Sequence, residues 1–257
     1  MRITILGTGT SFGVPQIGCT CPVCTSTDPR DVRSRTAAVV ESGGRRILID
    51  TPPELRQQLV RAGIATVDAV LYTHDHADHT HGIDDLRGLS GTGRLTLPVY
   101  GPADALERMQ RKFDYVFDPA TIGIPGSSRP SVAVESLVAG RPVTIAGIPV
   151  LPLAFEHGPS VVYGYRFGPV AYVTDVKRVP PESVRALAGL EVLVLNALWY
   201  REHPTHLSIP EAVAAARAIG ARQTWLTHLT HETLHADLER DLPAEIRPAF
   251  DGLVVDA

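Results

Sequence analysis

The chain has 257 residues, 44% of them hydrophobic, and 28 acidic against 24 basic side chains give it a formal net charge of −4. That is ample material for a core, and no linker-like stretch divides it, so one domain over residues 1–257 is expected. The charge balance leaves no general basic footprint for a polynucleotide or an anionic membrane, and no stretch approaches the ~18 apolar residues of a membrane helix.

Residues 2–6 are β-branched and alternating and read as a strand, too short in its apolar run for a signal peptide; Gly7-Thr8-Gly9-Thr10-Ser11 breaks it into a loop. The loop continues through Cys19, Cys21 and Cys24, the chain's three cysteines. An odd number in so tight a cluster argues against a disulfide framework and for a reducing compartment, so a soluble cytoplasmic protein is expected. Residues 37–40 and 46–50 form a hairpin across Ser42-Gly43-Gly44, with Asp50 at its end. Pro52-Pro53 opens a helix that Gly63 ends, and the apolar run 68–72 is a strand leading into Thr73-His74-Asp75-His76-Ala77-Asp78-His79. A helix near 82–89, a strand at 98–102 and a helix over 103–112 follow, the last with Arg108, Arg111 and Lys112 on or near one face. Residues 113–130, rich in Gly, Pro and Ser, read as a long irregular loop of the kind that forms a lid or rim.

From 131 to 174 the pattern is β: 132–134, 143–145, 148–153, 161–167 and 170–174, with His157 after one strand and Asp175 after another. A helix over 181–188 and a continuous apolar strand at 192–195 come next. Ser208 and Glu211 form a capping box for an alanine-rich helix that Gly220 stops. Residues 224–227 are a strand delivering His228 and His231, and 232–240 and 252–255 read as a helix and a last strand. Residues 1–130 and 131–257 each run strands before helices. This predicts an α/β fold: an αββα sandwich of two packed mixed β-sheets with helices on the outer faces.

The chemistry starts at the histidine loop. H-x-H-x-D-H offers imidazole and carboxylate, the ligands zinc and its neighbours prefer, at the end of a buried strand that can aim several side chains at one point. Downstream strand ends add His157, Asp175 and His228, five histidines and two aspartates in all. Taken alone, His157 or His228 would be an ordinary histidine; their order after the first motif reverses that. The cysteine cluster is three soft ligands where a closed zinc site needs four, and His231, three residues after His228, is the expected fourth.

This H-x-H-x-D-H motif, the strand-end Asp50 before it and the later His, Asp and His resemble the metallo-β-lactamase superfamily across nearly the whole chain. The resemblance implies that His74, His76 and His157 hold one divalent metal and Asp78, His79 and His228 another, zinc or manganese. Asp175 would bridge the two, and Asp50 would orient ligands rather than bind. The C-x-C-x-x-C cluster with its late T-H-x-x-H, and more weakly Asp251-Gly252, resemble the cyclic phosphodiesterase branch of the carbon–phosphorus lyase pathway, which carries a structural zinc; Cys19, Cys21, Cys24 and His231 would hold it. The same branch and the tRNA 3′-processing branch place a histidine where His206 stands, implying that His206 assists the leaving group, with Asp78 as the other catalytic residue.

The implied function is a phosphodiesterase acting on a small cyclic phosphodiester such as a ribosyl 1,2-cyclic phosphate. A small-molecule partner is therefore expected; nucleic acid and membrane are disfavoured, and self-association as a homodimer is left open. Three alternatives share the scaffold: a tRNA 3′ endonuclease, whose long arm is not evident, a pyrroloquinoline quinone biosynthesis protein, and a metal or ligand binder without catalysis. His81, His203 and His235 carry no assignment.

Overall fold

A computed structural model describes residues 1–90, 96–118 and 128–257. Its fourteen strands form two sheets of seven. The first contains β1 (Arg2–Gly7), β2 (Ala37–Ser42), β3 (Arg45–Ile49), β4 (Ala69–Leu71), β5 (Leu97–Pro102), β6 (Val132–Leu137) and β14 (Val254–Asp256), in the order β14-β1-β2-β3-β4-β5-β6. The second contains β7 (Val143–Ile145), β8 (Ile148–His157), β9 (Ser160–Phe167), β10 (Val170–Val173), β11 (Val192–Asn196), β12 (Gln223–Thr227) and β13 (Ile246–Pro248), in the order β13-β12-β11-β10-β9-β8-β7. In each sheet the pairings are antiparallel up to one central strand and parallel beyond it. The switch falls at β3 in the first sheet and at β10 in the second.

The period of two divides each apolar strand between two cores. Val40, Ile47, Ile49 and Leu71 face Phe167, Tyr172, Val192 and Val194 across the interior of the sandwich. The intervening residues turn outward: Val39, Leu48 and Val70 pack under α1 (Leu55–Ala62) and α4 (Ala103–Lys112), through Leu55, Leu59, Leu106 and Met109. On the opposite side Leu193, Leu195 and Leu226 pack under α7 (Ile209–Ile219) and α8 (His235–Asp241), through Ile209, Ala212, Ala216 and Leu238. This is the predicted αββα layering. The remaining short helices are α2 (Ala77–Thr80), α3 (Leu86–Leu89), α5 (Asp114–Phe117) and α6 (Pro181–Ala186).

Several boundaries differ from the sequence expectation. The division at residue 130 fails at both ends, because β6 joins the first sheet and β14 returns to it beside β1. The 82–89 helix divides into a 3-10 turn, Ile83–Asp85, and α3; the 232–240 helix begins only at His235; and β13, only three residues long, gave no pattern. Within 113–130, α5 replaces part of the expected loop, and residues 119–127 of that stretch lie outside the described residues. No helix among the described residues is long and apolar enough to cross a membrane.

Candidate metal centre

The candidate ligands, and Asp50 that orients them, leave the sheets at one rim. Asp50 follows β3, the histidine loop follows β4, His157 ends β8, Asp175 follows β10 and His228 follows β12. Among the described residues four non-glycine ones have left-handed backbone, and three of them are Asp50 (φ 63°), Asp175 (φ 59°) and His228 (φ 60°). A left-handed residue turns the chain sharply out of its strand, and Asp and His tolerate that conformation better than bulkier side chains. Asp50 and Asp175 thus occupy equivalent places, just past the strand where each sheet changes from antiparallel to parallel pairing.

The hydrogen bonds around these ligands fix which ring nitrogen each histidine presents. Asp50 is fully buried and accepts from the Thr73 N–H (2.8 Å), the Thr73 hydroxyl (2.8 Å) and His79 Nδ1 (2.7 Å). A carboxylate only accepts, so His79 carries its proton on Nδ1. The Thr73 hydroxyl has given its hydrogen to Asp50, so its oxygen accepts from His74 Nδ1 (2.9 Å). His157 Nδ1 donates to the Thr205 carbonyl (3.1 Å). The Thr36 hydroxyl donates to the Gly9 carbonyl (2.7 Å) and accepts from His228 Nδ1 (3.2 Å), which also lies 3.1 Å from Asp175 Oδ1. All four imidazoles are therefore left with Nε2 free as the donor to a metal.

Those Nε2 atoms fit cations. The Nε2 atoms of His74 and His79 are buried and have no hydrogen-bond partner, a costly state for a polar atom unless a ligand completes it. Donor atoms lie within 4.8 Å of one another in four groups at this rim: His74/His76/His157, His74/His79/Asp175, Asp78/Asp175/His228 and His157/Asp175/His206. Asp175 appears in three of the four, the place of a shared ligand. His79 Nε2 lies 3.2 Å from Asp175 Oδ2 and 3.4 Å from Asp78 Oδ2, but its donor groups with His74 and Asp175, whereas Asp78 and His228 group with Asp175 without it. Burial opposes a charge on His79, yet Asp175, Asp78 and Asp50 raise its pKa well above the ordinary imidazole value, as a site built for positive charge should. Burial lowers His74, His157 and His228, the last to about 4, keeping them in the neutral form that binds metal.

The rim opens into a cleft of about 310 Å³ whose lining includes His76, Asp78, His157, Asp175, His206 and Ser11. His206 stands in its wall with Nε2 3.6 Å from Asp175 Oδ2 and its ring stacked 4.9 Å from that of His228. The turn holding it is clamped from the Asp175 side: Leu207 N–H donates to the Val176 carbonyl (2.8 Å), and Lys177 Nζ reaches Glu211 (2.7 Å), the capping-box partner of Ser208. Gly158 also contributes, since its φ is +59° and a Cβ there would meet the Thr205 methyl at 2.9 Å.

The second cluster lies beside the first. Sγ of Cys19, Cys21 and Cys24 stand 3.3, 3.6 and 3.5 Å from His231 Nδ1. Ligands around a tetrahedral zinc, at ~2.3 Å for sulfur and ~2.0 Å for nitrogen, stand about 3.5 Å apart, so the four donors fit that ion. The Cys24 N–H, above other influences, lowers Cys21 to about 6, toward the thiolate a metal requires. Behind it the wholly buried Arg33 donates to the carbonyls of Thr230 and Thr233 (2.9 Å for the latter) and to Asp31 (3.1 Å), whose carboxylate also accepts the His235 N–H. This network ties the cysteine side of the molecule to the segment that carries His228 and His231.

Thr73, Thr36, Arg33 and Asp31 escaped sequence reading, since Thr and Asp before a motif are common and nothing local marks Arg33 as buried. His203, left unassigned, stands 3.2 Å from His206 Nδ1. His81 and His235 stand edge-on to Phe113 and Phe250, and the buried His235 Nδ1 has no hydrogen-bond partner. Arg108 and Lys112 turn from the cleft to hold Asp75 at 2.9 and 2.6 Å; burial opposes its charge, but these two cations lower it to about 2. Asp251 accepts from Thr8 and from the Ser34 backbone and side chain, a brace between the ends of β1 and β14.

A crystal structure described as a new diphosphatase from the PhnP family is 39% identical, superposes with a TM-score of 0.91 and matches 100% of this chain and 97% of that one. An octanoyltransferase of Porphyromonas gingivalis is 38% identical over 256 residues, 98% of this chain but 51% of that protein, so this chain spans about half the length of that relative. Coenzyme PQQ synthesis protein B of Methylobacterium radiotolerans is 39% identical over 228 residues, 76% of this chain and 72% of that one. The model of the beta-lactamase superfamily domain matches residues 45–229, from β3 through the histidine loop to just past His228, and with the fold and ligand set above this places the chain in the metallo-β-lactamase superfamily.

Proposed function

We propose that the chain is a dinuclear metal-dependent hydrolase that cleaves a small phosphodiester, a ribosyl 1,2-cyclic phosphate being the type. The overlapping donor groups His74/His76/His157, His74/His79/Asp175 and Asp78/Asp175/His228, beside a cleft walled by His206, support the reading. Two divalent ions held there, zinc or manganese, would polarise the phosphoryl group and activate water. Asp50 acts through hydrogen bonds, holding His79 directly and His74 through Thr73, with both Nε2 atoms turned to the site. The Asp78 carboxylate, at the cleft, takes the proton of the attacking water, and His206 donates one to the departing oxygen. The Cys19/Cys21/Cys24/His231 cluster holds a structural zinc away from the reaction. As a small-molecule hydrolase, the protein would work in a reducing, cytoplasmic setting.

A second reading, hydrolysis of a diphosphate linkage, is favoured by the 39% identity to a structure described as a diphosphatase. The two separate in one experiment with fully metallated protein, offered bis(p-nitrophenyl) phosphate, 2′,3′-cyclic nucleotides and a dinucleoside diphosphate. Turnover of the diesters is expected; cleavage of the diphosphate alone would replace the first reading with the second, and no turnover at all would sink both. His206→Ala should lower the rate on an alkoxide-leaving substrate about 100-fold with metal content unchanged. Loss of metal would make His206 a ligand.

A further inference from the structure

We propose that His203 is a positioning residue for His206, acting through the Thr205 hydroxyl, which fixes the proton of His206 on Nδ1 and leaves Nε2 to face the reacting phosphate. The inference rests on the role given to His206 above.

The argument is one of hydrogen-bond direction. The Thr205 backbone N–H lies 3.3 Å from His203 Nδ1. A backbone N–H only donates, so His203 Nδ1 is an acceptor and its proton sits on Nε2. The Thr205 hydroxyl is 3.2 Å from the same nitrogen and 2.8 Å from His206 Nδ1. With His203 Nδ1 as acceptor, the consistent arrangement runs one way: His206 Nδ1–H to Thr205 Oγ1, and Thr205 Oγ1–H to His203 Nδ1. The direct approach of the two Nδ1 atoms, 3.2 Å, has the same polarity, His206 donating and His203 accepting. His203 is itself held, its ring edge-on to Trp199 at 5.3 Å. The relay repeats the one at Asp50, where a threonine hydroxyl joins a buried acceptor to His74 Nδ1. At His206 the acceptor is a neutral imidazole instead of a carboxylate.

In the reaction, the water oxygen bonds to phosphorus while its proton passes to Asp78. His206 enters with a proton on each ring nitrogen, Nδ1–H held by Thr205 Oγ1; the phosphorus–oxygen bond to the leaving group breaks, and that oxygen keeps the electron pair and takes the Nε2 proton. His206 ends neutral with the Nδ1 proton still bonded to Thr205, so no reorientation accompanies the transfer. Without His203 the Thr205 hydroxyl is free to turn and donate to His206 Nδ1, which must then be unprotonated; the ring can no longer hold a proton on each nitrogen, and the neutral Nε2–H form left is a much weaker acid toward the leaving oxygen.

The test uses zinc-loaded protein and the variants His203→Ala, His203→Asn, His206→Ala and the His203→Ala/His206→Ala double. On a 2′,3′-cyclic nucleotide, whose leaving group is an alkoxide, His203→Ala should lower kcat about 10-fold, and the double variant should be no slower than His206→Ala alone. On bis(p-nitrophenyl) phosphate, whose leaving group needs no proton, His203→Ala should stay within about twofold of the parent. His203→Asn, with an amide oxygen able to accept near the position of Nδ1, should recover most of the loss. Equal losses on the two substrates, or additive losses in the double variant, would overturn the proposal. Imidazole ¹⁵N spectra read the same point without turnover: the parent should show His203 protonated on Nε2 and His206 on Nδ1, and His203→Ala should disturb His206 with unchanged zinc content. A His206 Nδ1 without its proton in the parent overturns the proposal whatever the substrate. The expected spectra with no turnover of any phosphodiester would uphold the positioning and remove the phosphodiesterase reading instead.

Discussion

The two ligand clusters stand next to each other on the exit of β12, through His228 and His231, yet they are held by different means. At the strand-end cluster every buried imidazole has its Nδ1 fixed by a protein acceptor: Asp50, the Thr73 and Thr36 hydroxyls and the Thr205 carbonyl. Among the cysteines, the thiols of Cys19, Cys21 and Cys24 meet one another's neighbours mainly through His231 Nδ1 and two backbone N–H groups, from Gln16 and Cys24. Histidine needs orientation before it can bind, because two nitrogens compete; a thiolate offers one sulfur, so the loop can wait for the ion. The first site is built by the fold, and the second, with an ion bound, would help to build the fold.

The comparison breaks most visibly at Asp50. Asp50→Ala leaves the His79 Nδ1–H and the Thr73 N–H buried without acceptors, at about 1–3 kcal/mol each, and should weaken active-site metal affinity about 10- to 100-fold. Denaturant unfolding and metal titration measure both, and unchanged affinity would mean that His74 and His79 orient themselves. Cys21→Ser should release one metal and lower the unfolding midpoint, with kcat on a diester within about twofold of the parent. A matching loss of turnover would make the second site part of the first. Hydrogen exchange on chelation sharpens the contrast: amides of residues 16–26 should lose protection, whereas those of 73–80 keep theirs.

The smallest effect belongs to Asp28, which caps the turn between the cysteines and Arg33. The Arg30 side chain and N–H lower its pKa to about 2. A lowered carboxylate pKa stabilises the fold above the unfolded value of ~3.9, and that contribution is lost as pH falls through about 2. Asp28→Asn should therefore lower stability slightly near neutrality and flatten the profile between about pH 4 and 2, where the parent loses what the variant never had.

Most of the strands and the strand-end ligands were legible because buried strands leave continuous apolar runs and ligands cluster in type: His74, His76, Asp78, His79, then His157, Asp175 and His228. What was hidden depends on approach between distant segments. Thr36 reaches His228 from 192 residues away, and Arg33 reaches Thr230 across 197. No period in either neighbourhood carries that information. His203 was passed over for a related reason: beside His206 it looks like a second loop histidine, and only the directions of the Thr205 bonds distinguish a supporter from a bystander. β6 and β14 were assigned to the wrong halves because strand order is set by packing across the sheet, which a strand's own sequence leaves unmarked.

The left-handed backbone at Asp50, Asp175 and His228 narrows the routes by which this site can change over evolution. Elsewhere a ligand can drift between Asp, Glu and His as one codon or another is sampled. At these positions a replacement must accept the turn as well as supply the donor to a metal or, in the place of Asp50, the acceptor for His79 and Thr73. Glycine keeps the turn and loses the donor; glutamate keeps a donor and strains the turn; valine and isoleucine fail on both counts. A saturation library at the three positions should leave few active survivors, drawn from Asp, Asn and His. New specificities in this scaffold would then arise around the cleft, at residues such as Ser11 and Ser160, while the strand exits stay constant.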